Sequence, residues 1–395
     1  MVDFKDSFLR LNDYCESEDY KGWDPYDGLN SKFFQALPMK YWDLARLAWI
    51  QGFKRSPINF RKLFLVPKEH NAKGVALFLS GYCKLYHAAK NGDDIFGSQT
   101  ELLRKIENIT GLLLSLKNNE YSGACWGYNF DWQARRLFLF KKHTPTVVVT
   151  CFCVEALIES YEITKDESVI EVAVSAAEFV LKDLTRTPYG EGHIFSYSVL
   201  DGNNTVINAS LLGAKILSYA YKYSQKLEYY DEARKAVIAA CNMQEKDGSW
   251  IYGLLPVQNW KDSFHTGFNL DAIATYQTIT KDQSFQNNIQ IGWEYYKENF
   301  FEPDGKSKYY HNKTYPIDIH CPAQVIVTAS KLNEFKANQD FLKLILDWTI
   351  KNMQSKNGYF YYQYRRGFSS KISYMRWSNA FMFNAMAHFH LESVK

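Results

Sequence analysis

Apolar residues along this chain fall into two kinds of helical segment, and the two kinds alternate. In the first, they recur every three or four positions on a single stripe. Examples are Val169, Val172, Ala173, Ala176 and Val180, then Ala233, Ala236, Val237 and Ala240, and later Phe341, Leu344, Ile345 and Trp348. A stripe of this period is one face of a helix that lies on a core with its other side in water. In the second kind, residues 147–157 and 209–220, the chain is apolar nearly all round, the pattern of a helix covered on every side.

Glycine turns followed by aromatic residues punctuate the alternation. They stand at Gly123, Gly190, Gly248, Gly305 and Gly358, at intervals of 53 to 67 residues. A unit of that length holds two helices of about five turns each with their loops. One-sided helices alternating with enclosed ones are what an outer ring packed on an inner ring requires. The expected fold is all-α, an (α/α)6 toroid with short β-hairpins at its turns. Five hairpin units are explicit. Residues 37–117 are expected to carry the sixth, with its inner member at 75–88, opened by the segment 22–30. Residues 374–391 form the last inner helix. Inner helices are expected to start near residues 75, 144, 205, 264, 316 and 374. No Pro/Gly/Ser-rich linker interrupts the pattern, so one domain spanning 1–395 is expected, with an open solenoid as the alternative.

Composition adjusts this picture in a few places. The 395 residues are 46% hydrophobic and 23% charged, as in a well-packed globular protein. The aromatic share of 16% exceeds what a core alone calls for and leaves rings for sugar stacking. The net charge is only +3 and no Lys/Arg run exceeds a pair, so nucleic acid is not implied. Residues 1–5 do not resemble a signal peptide, and no run of about 18 apolar residues exists. Seven scattered cysteines, an odd number, read as reduced thiols. The expectation is a cytoplasmic protein without an integral membrane segment.

Polar residues gather just before and at the start of the inner helices. In a ring whose inner helices all run one way, these starts share one mouth. The unpaired N–H groups and positive dipole ends there favour an anionic ligand. The candidates to bind substrate at this mouth are Trp126, Tyr128, Trp132, Arg135, His143, Asn208, Arg376 and Trp377. The candidates to do chemistry are Asp131, His265, Asp318, His320 and Tyr374. Asp262, three residues before His265, and Asp318 also fit as helix N-caps. A guanidinium such as that of Arg376 at the head of an apolar helix must be paired or must bind something. His388 and His390 lie at the far end of their helix and read as structural.

Three chemistries stand open. Asp131 and Asp318 are a candidate acid and base for a glycosidic bond. His265 or His320, with Tyr128 or Tyr374, are candidates to move the proton beside a uronic carboxylate that Arg376 holds, the step shared by lyases and C5-epimerases. Cys125, His265, His320 and Cys321 are of zinc-binding types, but no CxxC or HxxxH spacing joins them. No metal and no cofactor are expected.

Gln244-Glu-Lys-Asp-Gly-Ser-Trp250 resembles the QxxDGSW turn of terpenoid cyclase and protein prenyltransferase toroids, although the acidic motifs of the cyclases are absent. His320-Cys321-Pro322 reverses the order of the Cys-His-Gly element of the lanthionine cyclases. The segments 22–31, 126–133, 264–269 and 374–377 resemble toroid proteins found among surface-polysaccharide biosynthesis genes. Uronyl C5-epimerases, polysaccharide lyases and unsaturated glucuronyl hydrolases have similar helical rings. The resemblance implies a carbohydrate-active enzyme working on a cell-surface or capsular oligo- or polysaccharide, or on its lipid-linked precursor. The alternatives are a non-catalytic glycan-binding scaffold and a zinc-dependent cyclase or transferase.

Overall fold

The structure, a computed structural model, describes residues 3–134 and 139–395. Helices α1 (Phe4–Ser17), α2 (Lys32–Ala36), α3 (Asp43–Arg55), α4 (Ala72–Lys90) and α5 (Gln99–Ser115) come first. Then follow α6 (Val147–Thr164), α7 (Glu167–Lys182), α8 (Ile207–Ser224), α9 (Leu227–Asn242) and α10 (Ser263–Thr280). The chain ends with α11 (Gln286–Phe300), α12 (His320–Lys331), α13 (Gln339–Met353) and α14 (Phe381–Val394). A π-helical turn, Met375–Ala380, leads into α14.

Helices α4, α6, α8, α10, α12 and α14 each pack on the next, and α14 packs back on α4, so the inner ring is closed. The first five members start within four residues of the expected positions and the sixth begins through the π-helical turn at Met375, and α6, α8 and α10 are buried over most of their circumference. Each of these three ends on one residue in the left-handed conformation, Lys165, Gln225 and Lys281, which turns the chain into the next outer helix. The strands are short. Antiparallel hairpins pair β1 (Trp132–Gln133) with β2 (Leu139–Phe140) and β3 (Arg186–Tyr189) with β4 (Gly192–Phe195). A three-stranded sheet joins β5 (Ile317–Asp318), β6 (Tyr361–Arg365) and β7 (Phe368–Ser373).

The glycine period has a physical cause. A Cβ added at Gly123 would meet the Ser175 carbonyl of α7, and one at Gly248 the Ile291 carbonyl of α11. Gly305 lies in the same way against Leu344 of α13. In the third turn Gly192, not Gly190, makes the approach, against Lys235 of α9. Each turn therefore lies on the outer helix of the following unit, where only a hydrogen atom fits. Gln244 fixes one such turn by donating to Gly248 O (2.9 Å) and to Asn288 O of α11 (3.0 Å).

The sixth unit differs from expectation. Gly358 lies against the Arg10 carbonyl of α1, and Gln354 donates both to Gly358 O and to Ser7 O (each 2.9 Å), repeating the Gln244 arrangement. The sixth outer helix is therefore α1, which no glycine period marks. Residues 37–55, expected inside the sixth unit, instead lead into and form α3, with α2 just before them. These two helices pack on the Asp27–Asn30 turn, and α3 reaches β1.

Below the mouth the bore is filled by charge. Lys215 of α8 contacts Glu155 of α6 (2.9 Å) and Asp271 of α10 (3.0 Å), and Lys331 of α12 reaches the same two acids. Two cations and two carboxylates cancel and hold four inner helices together.

Candidate active site at the mouth of the ring

A cavity of about 820 Å³ opens at one end of the ring, within the range of roughly 300–1,000 Å³ usual for small-molecule sites. Lys73, Val148, Asn208, Phe264, His320 and Trp377 line it, one from the start of each inner helix. All six inner helices therefore begin at this mouth. The walls are aromatic: Tyr128, Phe130, Trp132, Tyr197, Tyr252 and Trp260 join Trp377, and α3 contributes Leu47, Gln51 and Lys54 to the rim.

His265 has its orientation imposed. The buried Asp262 carboxylate caps α10 by accepting from the His265 backbone N–H (3.1 Å). It also accepts from His265 Nδ1 (2.8 and 2.9 Å) and from Trp260 Nε1 (2.9 Å). A carboxylate only accepts, so Nδ1 carries the hydrogen and the lone pair of the neutral ring lies on Nε2. His265 lines the cavity. The capping and the chemical reading of Asp262 are thus one arrangement: the cap fixes a base.

His320 is held by stacking. Its ring lies 4.3 Å from Phe264 at an interplanar angle of 11° and meets Trp377 edge-on at 5.0 Å. It is 1% exposed, and neither ring nitrogen has a protein partner. Burial, with Lys73, Arg376 and His265 nearby, pushes its pKa well below the usual 6.5, so the ring is neutral. A buried N–H left unpaired by the protein is a position where a ligand hydroxyl fits.

Lys73 is the residue that sequence reasoning missed. Its Nζ stands 3.9 Å from the Phe152 ring centre and about 5 Å from those of Phe268 and Phe381, with no carboxylate partner among the described residues. Burial first, then the charge of Arg376, lowers its pKa well below that of a free lysine. The signal was available. Lys73 heads an apolar inner helix as Arg376 does, but the helix was expected to begin three residues later, at residue 75.

The other candidates divide. Tyr128, Trp132, Asn208 and Trp377 line the cavity. Arg376 does too, but its fork is already engaged: Nε and Nη2 donate to the two oxygens of Asp24 at 2.6 and 2.9 Å. The bidentate face expected to hold a ligand anion is given to the protein's own carboxylate. Trp126 is fully buried outside the cavity, donating to Leu113 O. Tyr374 is equally buried, with the Arg61 guanidinium 4.7 Å from its ring centre. Asp318 accepts from Trp377 Nε1, Gln363 Nε2 and the His320 backbone, so it positions site residues from behind. Asp131 accepts from the Lys142 backbone at the edge of the β1–β2 hairpin, and His143 is exposed beside it; neither lines the cavity. Arg135 lies outside the described residues.

Among the described residues the lining of this cavity contains a single carboxylate, the exposed Asp201. Asp131 and Asp318 therefore do not face each other across a glycosidic bond. Among the described residues no three His, Cys, Asp or Glu side chains converge as a metal site.

No protein-family model matches the chain, and no curated protein sequence matches it. Solved structures do match in shape. A family-76 glycoside hydrolase (mannosidase) from Bacteroides thetaiotaomicron superposes with a TM-score of 0.64 at 12% identity, covering 98% of both chains. A cellobiose 2-epimerase from Bacillus thermoamylovorans gives 0.62 at 12% identity, over 83% of this chain and 90% of that one. An unsaturated glucuronyl hydrolase specific for heparin gives 0.61 at 13% identity, over 98% and 96%. The fold is the (α/α)6 toroid. At such identities the likeness establishes architecture, and the reaction has to be argued from the site.

Proposed function

We propose that this protein is a carbohydrate-active enzyme that moves a proton on a saccharide held at the mouth of the ring, with 1–395 acting as one catalytic domain. The observation that carries the reading is the Asp262–His265 pair, which leaves Nε2 of His265 as the base in a cavity that also holds the neutral, unpartnered His320. The lack of a carboxylate pair in the lining favours proton transfer over carboxylate-assisted hydrolysis. The three solved structures of similar shape are named for action on carbohydrates, and the aromatic walls suit pyranose faces.

The substrate class we infer is a uronic-acid-containing oligo- or polysaccharide, or its lipid-linked precursor, in surface-polysaccharide metabolism in the cytoplasm. Lys54 supplies a cationic group with no acid partner among the described residues, and seven free thiols fit a reducing compartment. His265 would take the proton from C5, beside the uronic carboxylate that acidifies it. Return of a proton to the opposite face from a water beside His320, with the hydroxide left behind taking the proton that His265 holds, gives the C5 epimer; departure of the 4-linked oxygen, taking that proton from His265, instead gives elimination.

Incubation with a panel of uronic and neutral oligosaccharides in D2O tests this. The expected result is deuterium at C5 of a uronic residue, lost in His265→Gln with the fold retained. Binding without exchange or cleavage of any panel member would mean a non-catalytic glycan-binding ring.

A further inference from the structure

The α2–α3 insertion departs from the ring both in shape and in surface chemistry. Of the fifteen large hydrophobic side chains exposed among the described residues, eight fall between residues 33 and 65. Tyr41 (73% exposed), Trp42 (64%), Leu44 (82%) and Leu63 (71%) are the most open of these. On α3 the exposed positions are Asp43, which pairs with Arg46, and Leu44, Ala48, Gly52 and Arg55, the last four sharing one face of a 3.6-residue helix. That face carries no acid. Apolar exposure on this scale is a liability in water unless something covers it.

Charge indicates what covers it. Residues 31–68 contain eight Lys and Arg against one acid, Asp43; Arg46 pairs with Asp43, Arg61 with Asp27 and Lys68 with Glu18, which leaves five cations in excess. Lys32, Lys40, Arg55 and Lys62 have no carboxylate partner among the described residues. Interfacial Trp and Tyr, outward aliphatic residues and unpaired cations together are the composition that seats a protein in the headgroup layer of an anionic bilayer. A protein partner would need complementary apolar area but has no need of this charge asymmetry.

We propose that the α2–α3 insertion is a docking surface for an anionic phospholipid membrane. Leu47, Gln51 and Lys54 of α3 also form part of the cavity rim, so the docked face adjoins the site. Resting on the function proposed above, this places the mouth where the saccharide of a lipid-borne precursor can enter while its lipid stays in the bilayer. No helix among the described residues is long and apolar enough to cross a membrane, so attachment is peripheral.

Vesicle flotation of the full-length protein, with no saccharide present, tests the docking. Binding is expected to vesicles of 70% phosphatidylcholine and 30% phosphatidylglycerol, to fall at least tenfold on pure phosphatidylcholine, and to weaken with salt. The triple variant Tyr41→Ser/Trp42→Ser/Leu44→Ser should lose at least tenfold in binding at an unchanged melting temperature, and Arg55→Glu/Lys62→Glu should do the same. His265→Gln should float like the wild type, so loss of the catalytic reading leaves this result standing. Absence of wild-type flotation at low salt would overturn the proposal. So would a dimer that the triple variant converts to monomer without any change in flotation.

Discussion

Asp24 and Arg376 stand 352 positions apart and meet in a two-pronged ion pair at the cavity, each almost fully buried. The pair joins the segment after α1 to the turn before α14, the two ends of the chain that close the ring. It also explains why the guanidinium persists at the head of an apolar helix. Its partner comes from the Gly22–Asn30 segment, where Asp24 O and Asp27 also hold the buried Arg61 (each 2.7 Å).

Removing one member of such a pair leaves a charge buried without compensation, which costs about 3–5 kcal/mol. Asp24→Asn is therefore expected to lower unfolding stability by that amount in urea titrations. Arg376→Lys keeps the charge but loses the fork, and should cost less. A double-mutant cycle between the two positions should give a coupling above about 1.5 kcal/mol; additivity would mean that the pair does not act as a unit.

Asp262→Asn separates capping from catalysis. Asparagine caps a helix about as well as aspartate, so stability should change by less than about 1 kcal/mol. The amide does not stabilise an imidazolium, and it lets the hydrogen move from Nδ1 to Nε2. Turnover on the uronic substrate is expected to fall by roughly 10²–10⁴, the usual worth of a positioned acid–base group. A loss of stability with undiminished turnover would make Asp262 a cap alone.

The ring was legible because periodicity and glycine spacing report it directly: a helix enclosed on all sides has no polar stripe, and a turn pressed on a neighbouring backbone admits only glycine. The sixth outer helix was not legible. Contact between α1 and the Gly358 turn spans nearly the whole chain, and nothing in residues 4–17 repeats the later motifs. The site was legible by residue type more than by role. His265, His320 and Trp377 reach the cavity as expected. Asp318 has the right chemistry at a helix start and Asp131 sits at the hairpin before one, but their side chains turn to backbone, amide and indole N–H groups, a choice that depends on how the chain folds around them. Lys73 was overlooked because a helix boundary was placed three residues late.

Ring closure can be tested at Gly358. Its φ is +89° at the equivalent Gly248 and +96° here, and an added Cβ would lie 2.0 Å from Arg10 O. Gly358→Ala therefore combines backbone strain with a contact that only displacement of α1 relieves. A loss of at least about 2–3 kcal/mol is expected. Gly52→Ala, on the open face of α3 with no atom within 4 Å of the added methyl, should be neutral or slightly stabilising. Equal effects at the two sites would argue against α1 as the closing helix.

Stability should fall as the solution is acidified below neutrality, and His388 provides the cleanest measure. It lies far from the cavity, next to Ser330 Oγ (3.0 Å). Burial first, then the charges of Lys84 and Lys331, holds its pKa well below 6.5, against the weaker opposite pull of Glu155. In the unfolded chain it takes up a proton near pH 6.5, whereas in the folded protein it does not. The unfolded state thus binds more protons below about pH 6.5, and by linkage stability is lost as pH falls. His320 acts in the same sense, while Asp318, whose pKa burial raises, acts in the opposite one, so the total slope mixes several groups. Comparison with His388→Gln isolates one. Between pH 6.5 and 5.5 the wild type should lose roughly 1 kcal/mol more than the variant, from about 1.4 kcal/mol per proton per pH unit. Urea titrations at the two pH values measure the difference. If wild type and variant lose stability in parallel, His388 is protonated in the folded state and the argument from its burial fails.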